Sequence, residues 1–432
     1  MVWTYIKINS LNQEVLFHDK LPKGMLMKPQ PLSGVHRGPL AGIRVVDLSI
    51  NIVGPLATQT MGDMGAEVLK IETRTGDPNR YMAEARHQGM APMFLGVNRN
   101  KKSVVLDLKD PEGLKALMKL IETADVFVHS MRPSAADRLG IGYKAVSSIK
   151  PNIVYACGVG YRLDGPYGSR PAYDDVIQGE SGMVDLNVKA SGEARYFPSV
   201  MADKISGLVL GSAIGMALVY KERTGEGQFV NVPMFETNIA FNLTEHIWAG
   251  SFEREGPWCY PRMLIKNRKP FPTKDGYVCI LALTTEEWAK VWHAIGQPEM
   301  AVDPRFGSLE SRTRNIDTLY GLLADAVAQL TTSDAIARLQ AQGVAYGVVN
   351  SIEELQDDPH LIATGFFKAY EHPTEGRVVT TEIPVQMSKT PGEIAFPPPN
   401  LGEHSASILS SVGYDQNEIE RLSRTTPRNA VK

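Results

Sequence analysis

The stretch that decides the fold lies near the amino end and reads GIRVVDLS (42–49), GPLATQTMGDMG (54–65) and AEVLKIE (66–72). The first and third segments are short, apolar and rich in β-branched residues, which is typical of buried strands. The segment between them has the length of a helix. This order predicts a strand, a helix and a second strand that runs parallel to the first.

The same alternation continues beyond residue 72. KKSVVLDL (101–108), DVFVHS (125–130) and NIVYACGVG (152–160) predict further strands, and PEGLKALMKLIETA (111–124) predicts an amphipathic helix. Repeated strand–helix–strand units predict a mostly parallel sheet, and strands this apolar need cover on both faces. The predicted fold class is therefore α/β, with a Rossmann-like large domain.

The alternation of predicted strands and helices changes after Phe235. Four prolines fall between residues 256 and 275, and then DGYVCILAL (275–283) predicts a hairpin strand that is followed by helices up to residue 342. This pattern predicts a smaller α+β domain. We predict an N-terminal arm (1–38), a first part of the large domain (39–235), a linker with the small domain (236–355), and a C-terminal segment returning to the large domain (356–432).

Composition excludes several classes of partner. Forty-five basic and 48 acidic side chains give a formal charge of -3, which favours neither nucleic acid nor an anionic membrane. The three cysteines are widely spaced and form neither a disulfide framework nor a zinc pattern, which suits the cytoplasm. The start, MVWTYIKINS, does not resemble a signal peptide. The apolar stretch Ile205–Tyr220 is shorter than the roughly 20 residues of a membrane span, so we expect a buried helix.

Several common motifs are absent from the sequence. No GxGxxG follows the first strand, where the turn reads INIVGP (50–55), and there is no GxxxxGK[ST] phosphate loop. The nine histidines include no HExxH, so no metal site is predicted, and no GxSxG elbow indicates a serine nucleophile. Catalysis by an Asp or Glu carboxylate therefore remains the candidate chemistry. A nucleotide-containing ligand remains compatible with the carboxyl ends of the strands.

Asp203 stands at the start of a glycine-rich segment, with Gly207, Gly211 and Gly215 at one-turn intervals. One interpretation is structural: Asp203 caps the helix, and the glycines allow close helix packing. The other interpretation is an ionised nucleophile at a helix N-terminus, beside Lys204.

A second group combines RPAYDDVIQGESG (170–182) with basic residues near strand ends. The acidic segment is either a polar loop entering a helix or part of a site. The basic residues are either surface charges or a cradle for phosphates. They are Lys101, Lys102, Lys109, Arg132 and Arg138.

Taken in order, these segments resemble family III CoA-transferases, which share their fold with α-methylacyl-CoA racemases. The similarity covers roughly residues 39 to 415. The words that carry it include PLAGIRVVDLS (39–49), GDPNR (76–80), ADVFVHSMRPSAADRLG (124–140), RPAYDDVIQGESG (170–182), ADKISG (202–207), DPRFGSLESRTRN (303–315) and LGEH (401–404).

The resemblance implies that Asp203 is the catalytic aspartate and that the chain forms an interlaced homodimer. It also implies contacts to coenzyme A, which enters as part of the substrates and not as a permanently bound cofactor. The implied contact residues are Ile52, Val53, Thr73, Arg74, Leu106, Asp107, Leu108, Lys109, Ser130, Met131, Arg132, Arg138, Pro171, Ala172, Tyr173 and Asp174.

The implied activity moves CoA from an acyl-CoA to a free carboxylic acid through an aspartyl anhydride and an aspartyl-CoA thioester. The alternative is a racemase-type isomerase, but Tyr173 stands where that branch carries a histidine, and tyrosine is a poor base at neutral pH. A non-catalytic CoA-binding protein is the third reading. The glycine-rich loop of oxalate-using members is not evident. A basic cluster weakly favours a dicarboxylate acceptor, or is a solvated loop: Arg262, Lys266, Arg268 and Lys269.

Overall fold

A computed structural model of the chain describes residues 29–252 and 256–426. Its centre is a six-stranded parallel sheet in the order β3-β2-β1-β4-β5-β6. The strands are β1 (Arg44–Leu48), β2 (Glu67–Glu72), β3 (Lys101–Val105), β4 (Val126–His129), β5 (Val154–Val159) and β6 (Gln228–Pro233). The mixed α/β fold with a parallel sheet is thus confirmed, and the first five strands lie where the sequence predicts them.

The order of the strands reverses at β1. This strand pairs with β2 on one side and β4 on the other, so that Val45 lies opposite both Val68 and Val126. In an open α/β sheet, the carboxyl ends on either side of such a reversal leave a crevice in which ligands bind. The crevice of this chain therefore lies beyond Leu48 and His129.

Helices cover both faces of the sheet. The amphipathic helix predicted at 111–124 is present as α3, and two apolar cores separate the helices from the strands. The helices of this part are α1 (Val53–Asp63), α2 (Pro92–Val97), α3 (Pro111–Glu122), α4 (Pro133–Arg138), α5 (Tyr143–Ile149), α6 (Asp174–Glu180), α7 (Met183–Ser191), α8 (Met201–Thr224) and α9 (Met234–His246).

Helix α8 differs from the buried helix that the sequence predicts. It spans 24 residues and buries one face, while Leu208 and Met216 on the other face are 59% and 65% exposed. By length and composition it is the one helix in residues 29–252 and 256–426 that could cross a membrane, a test that core helices of soluble proteins also pass. Its inner face packs on α1, where a Cβ on Gly207 would lie 2.8 Å from the carbonyl oxygen of Val53. Gly215, by contrast, faces open space.

Within residues 256–363, side chains between positions 265 and 344 form a separate apolar core around Trp288, Trp292 and Leu319. Its sheet is antiparallel, in the order β7-β8-β9. The elements are β7 (Phe271–Pro272), β8 (Tyr277–Leu281), α10 (Thr285–Ala294), α11 (Leu309–Arg314), α12 (Ile316–Val327), α13 (Thr332–Ala341), β9 (Ala345–Val348) and α14 (Pro359–Ala363).

The C-terminal segment contacts the edge of the large sheet. The Ser103 hydroxyl accepts a hydrogen bond from the Gly402 amide, and the Ser405 hydroxyl accepts one from the Val105 amide. Leu409 and Leu422 belong to the same core as the strands. The elements are β10 (Phe367–His372), β11 (Gly376–Thr381), α15 (Ser405–Ser411) and α16 (Gln416–Leu422).

The arm predicted at 1–38 is described only from residue 29. There the Gln30 amide donates to the carbonyl oxygen of Ala369 and the Gly34 amide to that of Ala395, so this end of the arm is tied to the C-terminal segment. Residues 1–28 and 427–432 lie outside the described part of the chain. The three boundaries between the four predicted segments remain predictions.

Candidate active site

A cavity of about 300 Å³ opens at the crevice between β1 and β4. The turn after β1 forms one wall, and the Ile50 amide donates to the Ser130 hydroxyl, which follows β4, at 3.0 Å. Asn51 in this turn has φ of 63°, a left-handed conformation that asparagine tolerates better than most residues. The turn is therefore tied to both central strands.

Two glycines at the end of β5 bring another wall close to this turn. A Cβ on Gly158 would lie 2.9 Å from the Val53 side chain, and one on Gly160 would lie 2.4 Å from the Cβ of Ala172. Neither position has room for a larger residue without movement of the neighbouring backbone. The sequence GVG thus narrows the cavity by letting α1 and the segment before α6 approach the sheet.

Asp203 is the carboxylate that lines this cavity. It is the third residue of α8, and the N-cap residue, Val200, makes no side-chain capping bond. The capping interpretation of Asp203 is therefore wrong. The neighbouring Lys204 is exposed, and its ammonium donates to the Ser199 hydroxyl at 2.7 Å instead of pairing with Asp203.

Asp174 performs the capping role from another helix. Its Oδ1 accepts the backbone N–H of Asp203 at 3.0 Å, and its Oδ2 accepts Nε2 of Gln178 at 2.6 Å. Gln178 is fully buried, and it also donates to the carbonyl oxygen of Ser199 and accepts from the amide of Phe197. Helix α6 thereby fixes both the start of α8 and the turn that leads into it.

The electrostatics of this arrangement favour a protonated Asp203. Burial, and to a smaller extent the nearby carboxylates of Asp174 and Asp175, together raise the pKa of the Asp203 carboxyl to about 7. A carboxyl group with this pKa exchanges its proton near neutral pH. Within residues 29–252 and 256–426, no cluster of three or more His, Cys, Asp or Glu side chains is placed to hold a metal ion.

The structure brings half of the predicted site residues into the cavity wall. These are Ile52, Val53, Ser130, Arg132, Pro171, Ala172, Tyr173 and Asp203. Asp174 lies directly behind Asp203, as described above. The remaining predicted residues do not line the cavity. They are Thr73, Arg74, Leu106, Asp107, Leu108, Lys109, Met131 and Arg138.

Most of the second set nevertheless lies at the same edge of the sheet. Thr73 and Arg74 follow β2, and Asp107 follows β3, so that Arg74 and Asp107 form an ion pair at 3.3 Å. Lys109 and Arg138 are exposed. Their side chains are free to meet a ligand that extends from the cavity across the strand ends.

Three of the predicted contacts have apolar side chains that pack on the core of the large domain. Leu106 is buried and belongs to the core under the sheet, and Leu108 and Met131 pack against that core. The Leu106 side chain is therefore closed to a ligand, which could meet only its backbone, whereas the Leu108 and Met131 side chains are partly exposed. The apolar residues at the ends of the predicted strands could have indicated that these side chains pack on the core.

Two lysines of the predicted phosphate cradle also lie elsewhere. Lys101 is fully buried and pairs with Asp47 at 3.1 Å, and Lys102 pairs with Glu67 at 2.6 Å. Both stand at the amino end of β3, away from the strand ends that line the cavity. The cradle of five basic residues therefore reduces to Arg132, Lys109 and Arg138.

Several residues of the site were not predicted from the sequence. The cavity wall also contains Asn51, Gly158, Gly160, Arg170 and Met234. Arg170 pairs with Glu180 at 2.5 Å and lies over the ring of Tyr167, 4.5 Å from its centroid. A signal for Arg170 was its place directly before PAYDD, and the two glycines could have been found as small residues that end an apolar strand.

A buried network of charged and polar side chains stabilises the turn at Asn51. The Lys70 ammonium pairs with Asp77 at 2.8 Å and donates to the carbonyl oxygen of Ser49. Asn79 follows in the same loop, and its Nδ2 donates to the carbonyl oxygen of Asn51 at 2.6 Å. The motif GDPNR thus holds the cavity wall and does not itself line it.

The basic cluster at 262–269 does not contribute to the Asp203 cavity within one chain. Arg262 lines a cavity in the small core. Arg268 and Lys269 line a neighbouring cavity, and Arg262 lines that cavity as well. The predicted position at the active-site mouth is therefore not seen in the single chain.

Comparison with known proteins identifies the family of this chain. Residues 40–405 match the model of CoA-transferase family III. The chain is 30% identical over 428 residues to succinyl-CoA:glutarate CoA-transferase of Homo sapiens, which covers 98% of this chain and 97% of that protein. It is 31% identical over 405 residues to the succinyl-CoA–L-malate CoA-transferase alpha subunit of Chloroflexus aurantiacus, with 91% and 93% covered.

A solved structure shows the same architecture. The CAIB/BAIF family protein from Brucella suis superposes with a TM-score of 0.74 at 28% identity, over 87% of this chain and 100% of that one. The family match covers most of the chain, and it includes Asp203 and every residue that lines the cavity. The chain therefore belongs to CoA-transferase family III and is an enzyme that transfers CoA.

Proposed function

We propose that Asp203 is the nucleophile that carries the transferred groups. The observation that carries this proposal is the environment of its carboxylate, which lines the cavity with two further carboxylates nearby and a pKa of about 7. A cation beside a carboxylate stabilises its negative charge. The surroundings of Asp203 instead destabilise the negative charge of its carboxylate. Forming a covalent acyl bond removes that charge, so the site favours the acylated form.

The proposed reaction has four balanced steps. A carboxylate oxygen of Asp203 attacks the thioester carbon of the donor, and the C–S bond breaks to leave a mixed anhydride and CoA thiolate. The thiolate attacks the Asp203 carbonyl carbon and releases the donor acid, which leaves an aspartyl-CoA thioester. The acceptor carboxylate attacks the same carbon to form a second anhydride and free the thiolate. The thiolate then attacks the acceptor acyl carbon, releasing the new acyl-CoA and Asp203.

We propose that CoA lies across the carboxyl ends of β1 to β4. The cavity would hold the thioester and the pantetheine arm between the turn at Ile52 and the segment Pro171–Tyr173, with Arg132 at its rim. The exposed cations Lys109 and Arg138 lie outward from the cavity at the strand ends and suit phosphates. Arg74 is engaged by Asp107, so a phosphate would have to compete for it.

The acceptor is proposed to be a dicarboxylic acid. Two of the relatives are named for glutarate and malate as acceptors, and both names include succinyl-CoA as donor. At 30% and 31% identity, these names support a class of acid and not a single compound. Succinyl-CoA and glutarate are accordingly the first pair of substrates to assay.

The racemase alternative gains no support from the geometry. Tyr173, which stands where a racemase would carry its histidine, is 69% exposed at the cavity rim. Among the described residues its phenol forms no hydrogen bond, and an unassisted tyrosine is a poor proton acceptor at neutral pH. The Asp203 carboxyl is thus the only one of the two groups suited to the chemistry.

We also propose that two copies associate into the interlaced homodimer that the family resemblance implies. An apolar face of α8 and α9 supports this, since it exposes Leu208, Met216, Val219 and Phe241 to solvent in the single chain. Several large apolar side chains exposed on neighbouring helices are typical of an interface. Sedimentation of the wild-type chain is expected to show a dimer, and a monomer at micromolar concentration would contradict the proposal.

The activity is tested by mixing the enzyme with succinyl-CoA and glutarate in deuterated buffer and analysing the thioesters by mass spectrometry. We expect glutaryl-CoA to form without deuterium at the α-carbon of either thioester. Deuterium uptake into a 2-methylacyl-CoA, without transfer to any of a panel of mono- and dicarboxylic acids, would support the racemase instead.

A further inference from the structure

A second cavity, of about 550 Å³, lies in the small core and shares no lining residue with the cavity at Asp203. Two arginines, Arg262 and Arg312, line it together with the hydroxyl-bearing Thr284, Thr285 and Thr313. Among the residues described, none that lines it carries a carboxyl group. A concave surface with two cations and no anion attracts negatively charged ligands.

Arg312 contributes a buried positive charge. It is only 4% exposed, and its guanidinium donates to Thr285 Oγ1 and to the carbonyl oxygen of Phe306, both at 2.9 Å. A third hydrogen bond goes to the carbonyl oxygen of Leu283 at 3.3 Å. All three acceptors are neutral, and burial lowers the pKa of Arg312. The side chain is thus fixed in place while its charge stays uncompensated.

Arg262 adds an unsatisfied donor. In the described part of the chain its Nε is buried without a hydrogen-bond partner. Tyr260, two positions before Arg262, is anchored, because its amide donates to Nδ1 of His246 and its ring stacks on Trp248 at 4.6 Å. A buried donor without an acceptor costs free energy, which an oxygen atom of a ligand would recover.

The rest of the wall is apolar. Trp288 and Tyr320 are largely buried and line the cavity, and Leu309 and Ile316 complete the surface. A bare inorganic anion would leave this surface in contact with water. A ligand with an anionic head and a hydrocarbon body would cover it and gain from its burial.

We propose that this cavity binds a small organic carboxylate, with Arg262 and Arg312 holding the carboxylate and the aromatic wall covering the hydrocarbon body. Carboxylates match guanidinium groups in charge and in planar geometry. The site is separate from the Asp203 cavity, and the proposal assigns no chemical step to it. It therefore stands whether or not the four-step reaction proposed above is correct.

The test is calorimetric titration of the full chain with hexanoate, with no CoA compound present. Wild type is expected to bind at a single site, and Arg262→Gln is expected to weaken binding by about tenfold or more. Arg262→Lys keeps the charge and should bind with intermediate affinity. Propionate should bind more weakly than hexanoate by a few-fold for each methylene group removed.

Two matched controls separate this site from others. Arg268→Gln changes an arginine of the same loop that does not line this cavity, and Arg132→Gln changes one in the Asp203 cavity. Both should bind hexanoate like wild type, as should Asp203→Asn. The absence of saturable binding to wild type, unchanged affinity in a folded Arg262→Gln, or loss of binding only in Arg132→Gln would overturn the proposal.

Discussion

Two groups of carboxylates lie near the carboxyl ends of the strands, and they behave in opposite ways. In the first, burial alone would raise the pKa of Asp47, but Lys101 and Lys70 outweigh it and hold the pKa at about 2. In the second, burial raises the pKa of Asp203 to about 7, and its neighbours are the carboxylates Asp174 and Asp175. The difference lies in the sign of the neighbouring charge and not in the depth of burial.

Glu72 belongs to the first group. Burial acts to raise its pKa, but the Arg80 guanidinium, at 2.7 Å, holds it at about 2. These paired charges fix the loop that supports the cavity wall, and an ion-paired carboxylate is a poor nucleophile because its charge is already stabilised. Asp203 has been left without such a partner by its surroundings. The fold thus places one set of carboxylates as scaffold and keeps another reactive.

The largest expected effect is the loss of transfer in Asp203→Asn. The amide is similar in shape but cannot form the anhydride, so turnover should fall by roughly three orders of magnitude or more. Binding of CoA, measured by calorimetry, should stay within a few-fold of wild type. Turnover close to that of wild type would show that Asp203 is not the nucleophile.

Substitutions in the ion-paired scaffold group should lower the free energy of unfolding. Lys101→Met leaves Asp47 buried without its closest cation, and breaking such a pair costs about 3–5 kcal/mol. Urea denaturation followed by circular dichroism measures the free energy of unfolding. The control is Lys189→Met, which removes an ion pair to Asp185 on the exposed face of α7 and should change nothing measurable. Equal effects of the two substitutions would remove the distinction between scaffold and surface charges.

Substitution of Asp203 should have the opposite effect and raise the free energy of unfolding above pH 7. The folded-state pKa of Asp203, about 7, lies above its ordinary value of 3.8, so the stability that its protonated form provides is complete below pH 4 and is lost as pH rises through 7. Asn stays neutral at every pH. Asp203→Asn should therefore be more stable than wild type at pH 8, by on the order of a few kcal/mol. At pH 4 the two should be equal. A variant less stable than wild type at pH 8 would contradict the account.

A smaller effect is expected from Asp174→Asn. Removing this charge should lower the pKa of Asp203, whose ionised form is the proposed nucleophile, so the acidic limb of the pH profile of kcat/KM should move to lower pH. The asparagine oxygen can still accept the Asp203 amide. Asp175→Asn should move the limb in the same direction and by less, since Asp175 contributes less to the shift. An acidic limb that stays in place in both variants would mean that these carboxylates do not tune Asp203.

The sequence predicts the sheet well because each strand carries its own local pattern. The first five strands and α3 follow from runs of apolar residues that need no knowledge of distant contacts. The sixth strand, Gln228–Pro233, was not predicted, because Gln228 and Asn231 interrupt its apolar run. Asp203 was identified by its resemblance to a family motif, not by its local pattern, which fits a helix cap equally well.

What could not be predicted depends on contacts between distant parts of the chain. Lys101 resembles a surface lysine until the fold places it beside Asp47, 54 positions earlier. The cap of α8 comes from Asp174, 29 positions before Asp203, and no periodic pattern signals it. The exposed face of α8 is as apolar as its buried face, so the sequence cannot tell which side the single chain covers.

The measurement that tests the central claim most directly is mass spectrometry of the enzyme mixed with succinyl-CoA alone and then trapped with hydroxylamine or borohydride. The account predicts a covalent change on the peptide that contains Asp203, together with a matching amount of free succinate or CoA. Wild-type enzyme that transfers CoA to an acceptor while Asp203 stays unmodified at every time point would contradict it.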